Sequence, residues 1–374
     1  MRTFLRAGLL LGFVVTACKD AAAPGDFTDP VAVTTDMQSV DSAFSSEVYR
    51  SFRVASLDLG SAATGVAPLK PAATLLGSTM PKLDKGTGRP VLIGALPGER
   101  LRQFRPAMSV AAEQGRIIPD SVYGRVFQWD TAADMYTWQD SVVPNLTGVR
   151  FILYQVDDFE NVIEPTVEVG TLDVIDESTL NQLQLHILVK GLGGSPTYLD
   201  YTASISLSIS GTDTSLTANA TGVLSNGLVT GNKTLTFDET IHLTNEPRFT
   251  ANATFTLNNP ARTFTVNESV TVSGEALVIT VDFRFVRPGE TVQFYARLRF
   301  DSTFTVSAAV RVNGRPVATL NGDAVDPETV WVDAGGDPLT ADDVAALDAL
   351  QESASGFQDA LTSFFLPVTT FFGG

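Results

Sequence analysis

The chain has 374 residues, 25 basic against 42 acidic for a formal charge of −17, with 44% hydrophobic residues, 23 phenylalanines and one cysteine. This acidic balance argues against a nucleic-acid partner, whose phosphates must be neutralised by Lys and Arg, and against electrostatic docking on anionic lipid. One cysteine rules out an intrachain disulfide, so stability must come from a core, for which the apolar content is ample.

In chain order, Arg2 and Arg6 precede an apolar run at residues 9–15, too short to span a bilayer, which takes roughly 20 residues. Val15-Thr16-Ala17-Cys18 follows and resembles the lipobox of bacterial lipoproteins, with a branched apolar residue three before the cysteine and Ala just before it. The resemblance implies that residues 1–17 are a signal peptide that is removed, and that Cys18 carries fatty acid on its sulfur and its new amine. Loss of Arg2 and Arg6 then leaves 23 basic against 42 acidic residues, a formal charge of −19. In that family an Asp directly after the cysteine favours inner-membrane retention. Lys19 stands there instead, so the resemblance implies outer-membrane sorting. One acyl chain holds only marginally, at ~0.8 kcal/mol per buried methylene, whereas a triacylated cysteine holds stably.

Residues 18–29 are small and polar with Pro and Gly, the composition of a tether. Residues 30–120 read as a helical and irregular segment. Val33, Met37, Val40, Phe44, Val48 and Phe52 recur at three- and four-residue steps, predicting a helix over about 33–55 with a break near Ser45-Ser46. A Gly/Pro/Ala-rich connection follows, with a short helix expected near 106–114.

Residues 121–374 are expected to form an antiparallel β domain with a C-terminal helix. From about Ser121 the period becomes two: "SISLSIS", "LVITVDFRFV" and "FYARLRF" each alternate apolar and polar residues, the pattern of strands with one dry face. Turn signals such as "SNG", "NNP" and "VNGRP" separate about a dozen strands, and no helix between them is long enough for parallel crossovers. Near the C-terminus Thr340 precedes Asp343 by three residues, a variant capping box. Val344, Leu347, Leu350, Phe357, Leu361, Phe364 and Phe365 then line one helix side. The expected fold is mainly β: a large curved antiparallel meander sheet or a half or full barrel, with the C-terminal amphipathic helix packed on its apolar face.

Candidate chemistry is sparse. His186 and His242 both lie in strand patterns, without metal-ligand spacing. "GLGGSP" does not match the serine elbow. Asp323, Asp326, Asp333 and Asp337 share a loop-rich stretch that offers oxygens to calcium without the twelve-residue loop spacing. Trp129, Tyr136 and Trp138, on two short strands around "DTAAD", are candidates for an aromatic platform, with core packing the plainer role. No phosphate loop or dinucleotide fingerprint occurs, so no cofactor and no catalytic residue is assigned.

The combination "YGRVFQWDTAADMY", "GVRFILYQVD" and "VRVNGRPVATLNGD" resembles uncharacterised β-rich lipoproteins of environmental bacteria over about residues 122–370, a resemblance that carries no functional residue. Sequence therefore points to a lipid-anchored envelope protein with a structural or binding role. Its expected partners are the membrane, through its lipid, and a hydrophobic ligand or an envelope protein. A lipid carrier using the concave sheet and a hydrolase with an unrecognised site are the alternatives. An integral outer-membrane barrel conflicts with the lipobox and the missing aromatic girdles.

Overall fold

The computed structural model describes residues 27–64 except Ser45, residues 82–83 and 90–91, and residues 115–371 except 181, 211–212, 245–247, 274–275, 302–303 and 324–331. The expected signal peptide, Cys18, Asp326 and the short helix near 106–114 lie outside the described residues.

Two helices open the described chain, α1 (Pro30–Phe44) and α2 (Glu47–Thr64), divided at the serine pair where the break was expected. Val33, Met37, Val48 and Phe52 are buried on the expected stripe. The folded body already includes the end of the expected tether: Phe27 is buried, and the Thr28 amide donates to Glu290 Oε1 at 2.9 Å. After a two-residue pair, β1 (Lys82–Leu83) and β2 (Pro90–Val91), come the strands of the main sheet. They are β3 (Arg125–Asp130), β4 (Met135–Val142), β5 (Gly148–Tyr154), β6 (Glu168–Asp176) and β7 (Leu183–Gly191). Next are β8 (Thr197–Ser210), β9 (Asp213–Ser225), β10 (Thr234–Thr244), β11 (Arg248–Asn258) and β12 (Ala261–Ser273). The last are β13 (Ala276–Arg287), β14 (Glu290–Phe300), β15 (Phe304–Val312), β16 (Arg315–Asp323) and β17 (Val332–Asp333), before the helix α3 (Ala341–Phe371).

These strands form one 15-stranded sheet that runs in chain order from β17 to β5, then β3, with β4 at the far edge. The expected meander is broken in one place, because β3 pairs with β5 in parallel. The Val143 amide donates to Gly124 O at 2.7 Å and the Gly124 amide to Gly148 O at 2.6 Å. The chain leaving β4 is thereby folded back across the start of β3 and enters β5 beside β3. The full-barrel alternative is corrected as well: the sheet is open, with β4 and β17 as its edges. Closure requires β4 to meet the other edge, but α2 lies against β4, and β17 reaches only Ala318 and Thr319 of β16.

Register converts the period-two pattern into rows. One buried row crosses the sheet as Tyr201, Gly222, Phe237, Phe255, Phe264 and Phe285. Gly222 is required there, since an added Cβ falls 2.1 Å from Tyr201 Cβ. The opposite face carries rows of Thr, Ser and Asn, among them Thr236, Thr256 and Thr263. α2 lies along β4 to β8, and α3 touches α1, α2, β7 and β8. Phe364 of α3 stacks on Phe237 at 4.0 Å between centroids, and Tyr201 Oη donates to Phe364 O at 2.9 Å. The cap at Thr340 forms, with the Asp343 amide donating to its Oγ1 at 3.3 Å. Val344 departs from the expected apolar stripe: it lies in the first turn and is 43% exposed.

Tyr201→Phe removes the hydroxyl that holds Phe364 and leaves that carbonyl without this donor. The expected loss is about 1 kcal/mol, read as a lowered midpoint in chemical denaturation with an unchanged slope.

Candidate functional site

The sequence candidates do not converge on one site. Tyr136 is buried and donates its hydroxyl to Ile152 O at 3.0 Å, and burial pushes its phenol far up. Trp129 packs edge-on against it at 5.4 Å. Trp138 is 53% exposed beneath the Arg125 guanidinium, 4.6 Å from its ring centroid. Tyr136 thus lies in the core with Trp129 against it, while Trp138 stays exposed.

Of the acidic candidates, Asp333 and Asp337 share one turn. Asp333 Oδ1 accepts from the Gly335 amide at 2.8 Å and the Asp337 amide at 2.7 Å, so this carboxylate closes a turn. Asp323 ends β16, and Asp337 is exposed. Among the described residues no three His, Cys, Asp or Glu side chains are placed to hold a metal ion. The histidines sit on the polar face, as their strand positions predict. His242 Nδ1 lies 3.0 Å from Thr217 Oγ1. His186 lies between two carboxylates, with Nε2 2.8 Å from Asp200 Oδ1 and Nδ1 3.5 Å from Glu177 Oε1.

Sequence reasoning missed the recess beside that histidine. An open hollow of about 530 Å³ lies over β8 and β9, within the volume range of ligand sites. Tyr198, Asp200, Thr202, Thr221, Asn232 and Thr234 contribute to its lining. Register places them together: Asp200 is opposite Val223, Thr202 opposite Thr221, and Thr234 opposite Ser225. Thr221 Oγ1 donates to Asp238 Oδ1 at 3.3 Å, and Asn232 Oδ1 accepts from Ser225 Oγ at 3.1 Å. The Tyr198 ring is held from two sides by glycine: an added Cβ at Gly227 falls 2.5 Å from its Cε1, and one at Gly191 3.1 Å from its Cε2. Gly227 also has φ +71°, a conformation costly for any side chain. Alternation alone marks these residues as solvent-facing. Only strand register and the turn after β9 gather them.

The apolar face holds a second feature that the sequence reading passed over. Glu239 is fully buried on β10, opposite Ala220 and Ala253, and neither carboxylate oxygen has a hydrogen-bond partner among the described residues. Burial raises its pKa well above the ordinary carboxylate value, so the folded state favours the neutral acid. Its influence reaches Tyr201, whose phenol is pushed up first by burial and then by Tyr49 and Glu239.

Comparison with family models, with curated proteins and with solved structures returns no match to this chain.

Proposed function

We propose that this chain is a lipid-anchored cell-envelope protein, attached through Cys18 to the outer membrane, with a non-enzymatic binding role centred on the polar-face recess. The lipobox-like Val15-Thr16-Ala17-Cys18 supports the anchor. We read the sheet as a curved, half-barrel-like wall whose apolar side is covered by α2 and α3. The Phe237–Phe364 stack and the Tyr201 bond to α3 support that reading. The apolar side is then occupied by the protein itself, and the polar side is left to meet ligands.

The observation that carries the binding role is the recess. Its lining combines short hydroxyls, an amide and one carboxylate with Tyr198, Tyr201, Gly222 and Val223, groups suited to holding a ligand. His186 is engaged at both ring nitrogens by carboxylates, and no nucleophile stands against it in these contacts.

Cys18→Ser tests the anchor. The expected result is an unprocessed precursor that no longer partitions with the membrane fraction, followed by immunoblot of fractionated cells and by mass of the N-terminal peptide. Unaltered processing and fractionation would overturn the anchor.

A second reading, a carrier of an apolar ligand on the covered face, is favoured by Glu239, a carboxyl that a ligand's hydrogen-bonding head would satisfy. Native mass spectrometry of the full chain separates the two readings. A co-purifying lipid supports the carrier, and an empty protein removes its support.

A further inference from the structure

We propose that the recess over β8 and β9 binds a neutral carbohydrate, an inference that rests on the recess being this protein's ligand site. The chemistry of the lining selects this class. Thr202 and Thr234 present hydroxyls able to donate and accept, Thr221 Oγ1 keeps its acceptor capacity while donating to Asp238, and Asn232 adds an amide with both functions. A ligand covered in hydroxyls has the same dual character at every polar atom, so it can pair with such a wall in several ways. Asp200 adds one strong acceptor, oriented through its Oδ1 by His186. Tyr198 adds an apolar ring, fixed in place by Gly191 and Gly227, which suits the C–H face of a sugar ring.

The same lining disfavours the other common ligand classes. No Lys or Arg contributes to it, so a phosphate or other anion finds no counter-charge beside Asp200. The hollow is open, with hydroxyls set among apolar surface, and does not enclose a ligand as the clefts for drug-like molecules do. A cation is not favoured either, because His186 is paired with Asp200 and Glu177, and among the described residues no three His, Cys, Asp or Glu side chains are placed to hold one. Some preorganisation is built in: Tyr198 packs close to Gly191 and Gly227, and Asp200 is paired with His186 before any ligand arrives.

The test uses the full chain in a zwitterionic detergent without a sugar head, labelled with 3-fluorotyrosine, with the Tyr198 resonance assigned through Tyr198→Phe. Gluco-, galacto- and N-acetylglucosamine trisaccharides are titrated separately, followed by a solubilised envelope extract before and after periodate treatment, which cleaves vicinal diols. Saturable movement of the Tyr198 signal by at least one trisaccharide is expected. Asp200→Ala should weaken it by about tenfold to a hundredfold, while Thr265→Val, on the same face of β12 and outside the lining, should leave it unchanged. Movement by the extract that periodate abolishes supports the proposal equally. Movement by the extract that survives periodate, with none by the sugars, overturns the carbohydrate class and leaves the recess as a ligand site. Sugar binding indifferent to Asp200→Ala overturns the proposal. A resonance moved by neither sugars nor extract overturns both the proposal and the recess reading.

Discussion

Glu239→Met is expected to stabilise the protein at pH 4, by removing a buried carboxyl without a partner among the described residues, and by more at pH 8. The carboxyl is buried with neither oxygen bonded among the described residues, and burial raises its folded-state pKa above the ordinary value. A raised pKa means that the folded state keeps its proton after the unfolded chain has released its own. Its favourable contribution is fully present below the unfolded pKa and is lost as pH rises through the folded one. Wild-type stability should therefore fall above the ordinary Glu range, by up to about 1.4 kcal/mol per pH unit from this group. Methionine has similar length, no charge and no polar atom needing a partner, so that slope should vanish. Glu239→Gln keeps the shape and polarity and removes only the charge, so it should abolish the slope while gaining less stability at pH 8. Thermal unfolding of the three proteins from pH 4 to pH 8 decides the matter. A methionine variant less stable than wild type at pH 8 would show that the carboxyl has a partner worth keeping.

The opposite sign is expected at Asp36. This α1 residue is 6% exposed and accepts from Arg262 Nε at 2.8 Å, with Arg287 Nη1 3.6 Å away. Arg287 also pairs with the buried Glu290 and donates to Asp29 O at 3.2 Å. The network fastens α1 to β12, β13 and the start of β14. Asp36→Ala removes the carboxylate that faces both guanidiniums and leaves them buried with less counter-charge. Breaking a buried network from one side typically costs about 3–5 kcal/mol. Denaturant titration should show a loss of this order. Asp36→Asn, which retains an acceptor without the charge, should recover part of it. A loss below about 1 kcal/mol would mean that the network is solvated.

Much of the fold was legible because the strands repeat one physical instruction, apolar inward and polar outward, from about Ser121 onward. The helix break at Ser45-Ser46 and the cap at Thr340 were legible for the same local reason. The parallel β3–β5 pair was not, since it depends on Gly124 bridging two distant segments, and periodicity does not encode that. Glu239 carried a readable signal that went unused. In "TLTFDETIHLT" it takes the apolar phase, between Phe237 and Ile241. Asp36 likewise stood on the helix stripe, three after Val33 and beside Met37. The recess was out of reach, because Tyr198, Asp200, Thr221 and Asn232 are gathered only by register and by the turn after β9.

From β6 to β17 every strand lies beside its predecessor in the chain. Such a wall can be lengthened or shortened by whole hairpins without altering which way any remaining side chain points. It can also zip up progressively from one end, each new hairpin finding its template already laid down, so little of the ordering waits on distant encounters.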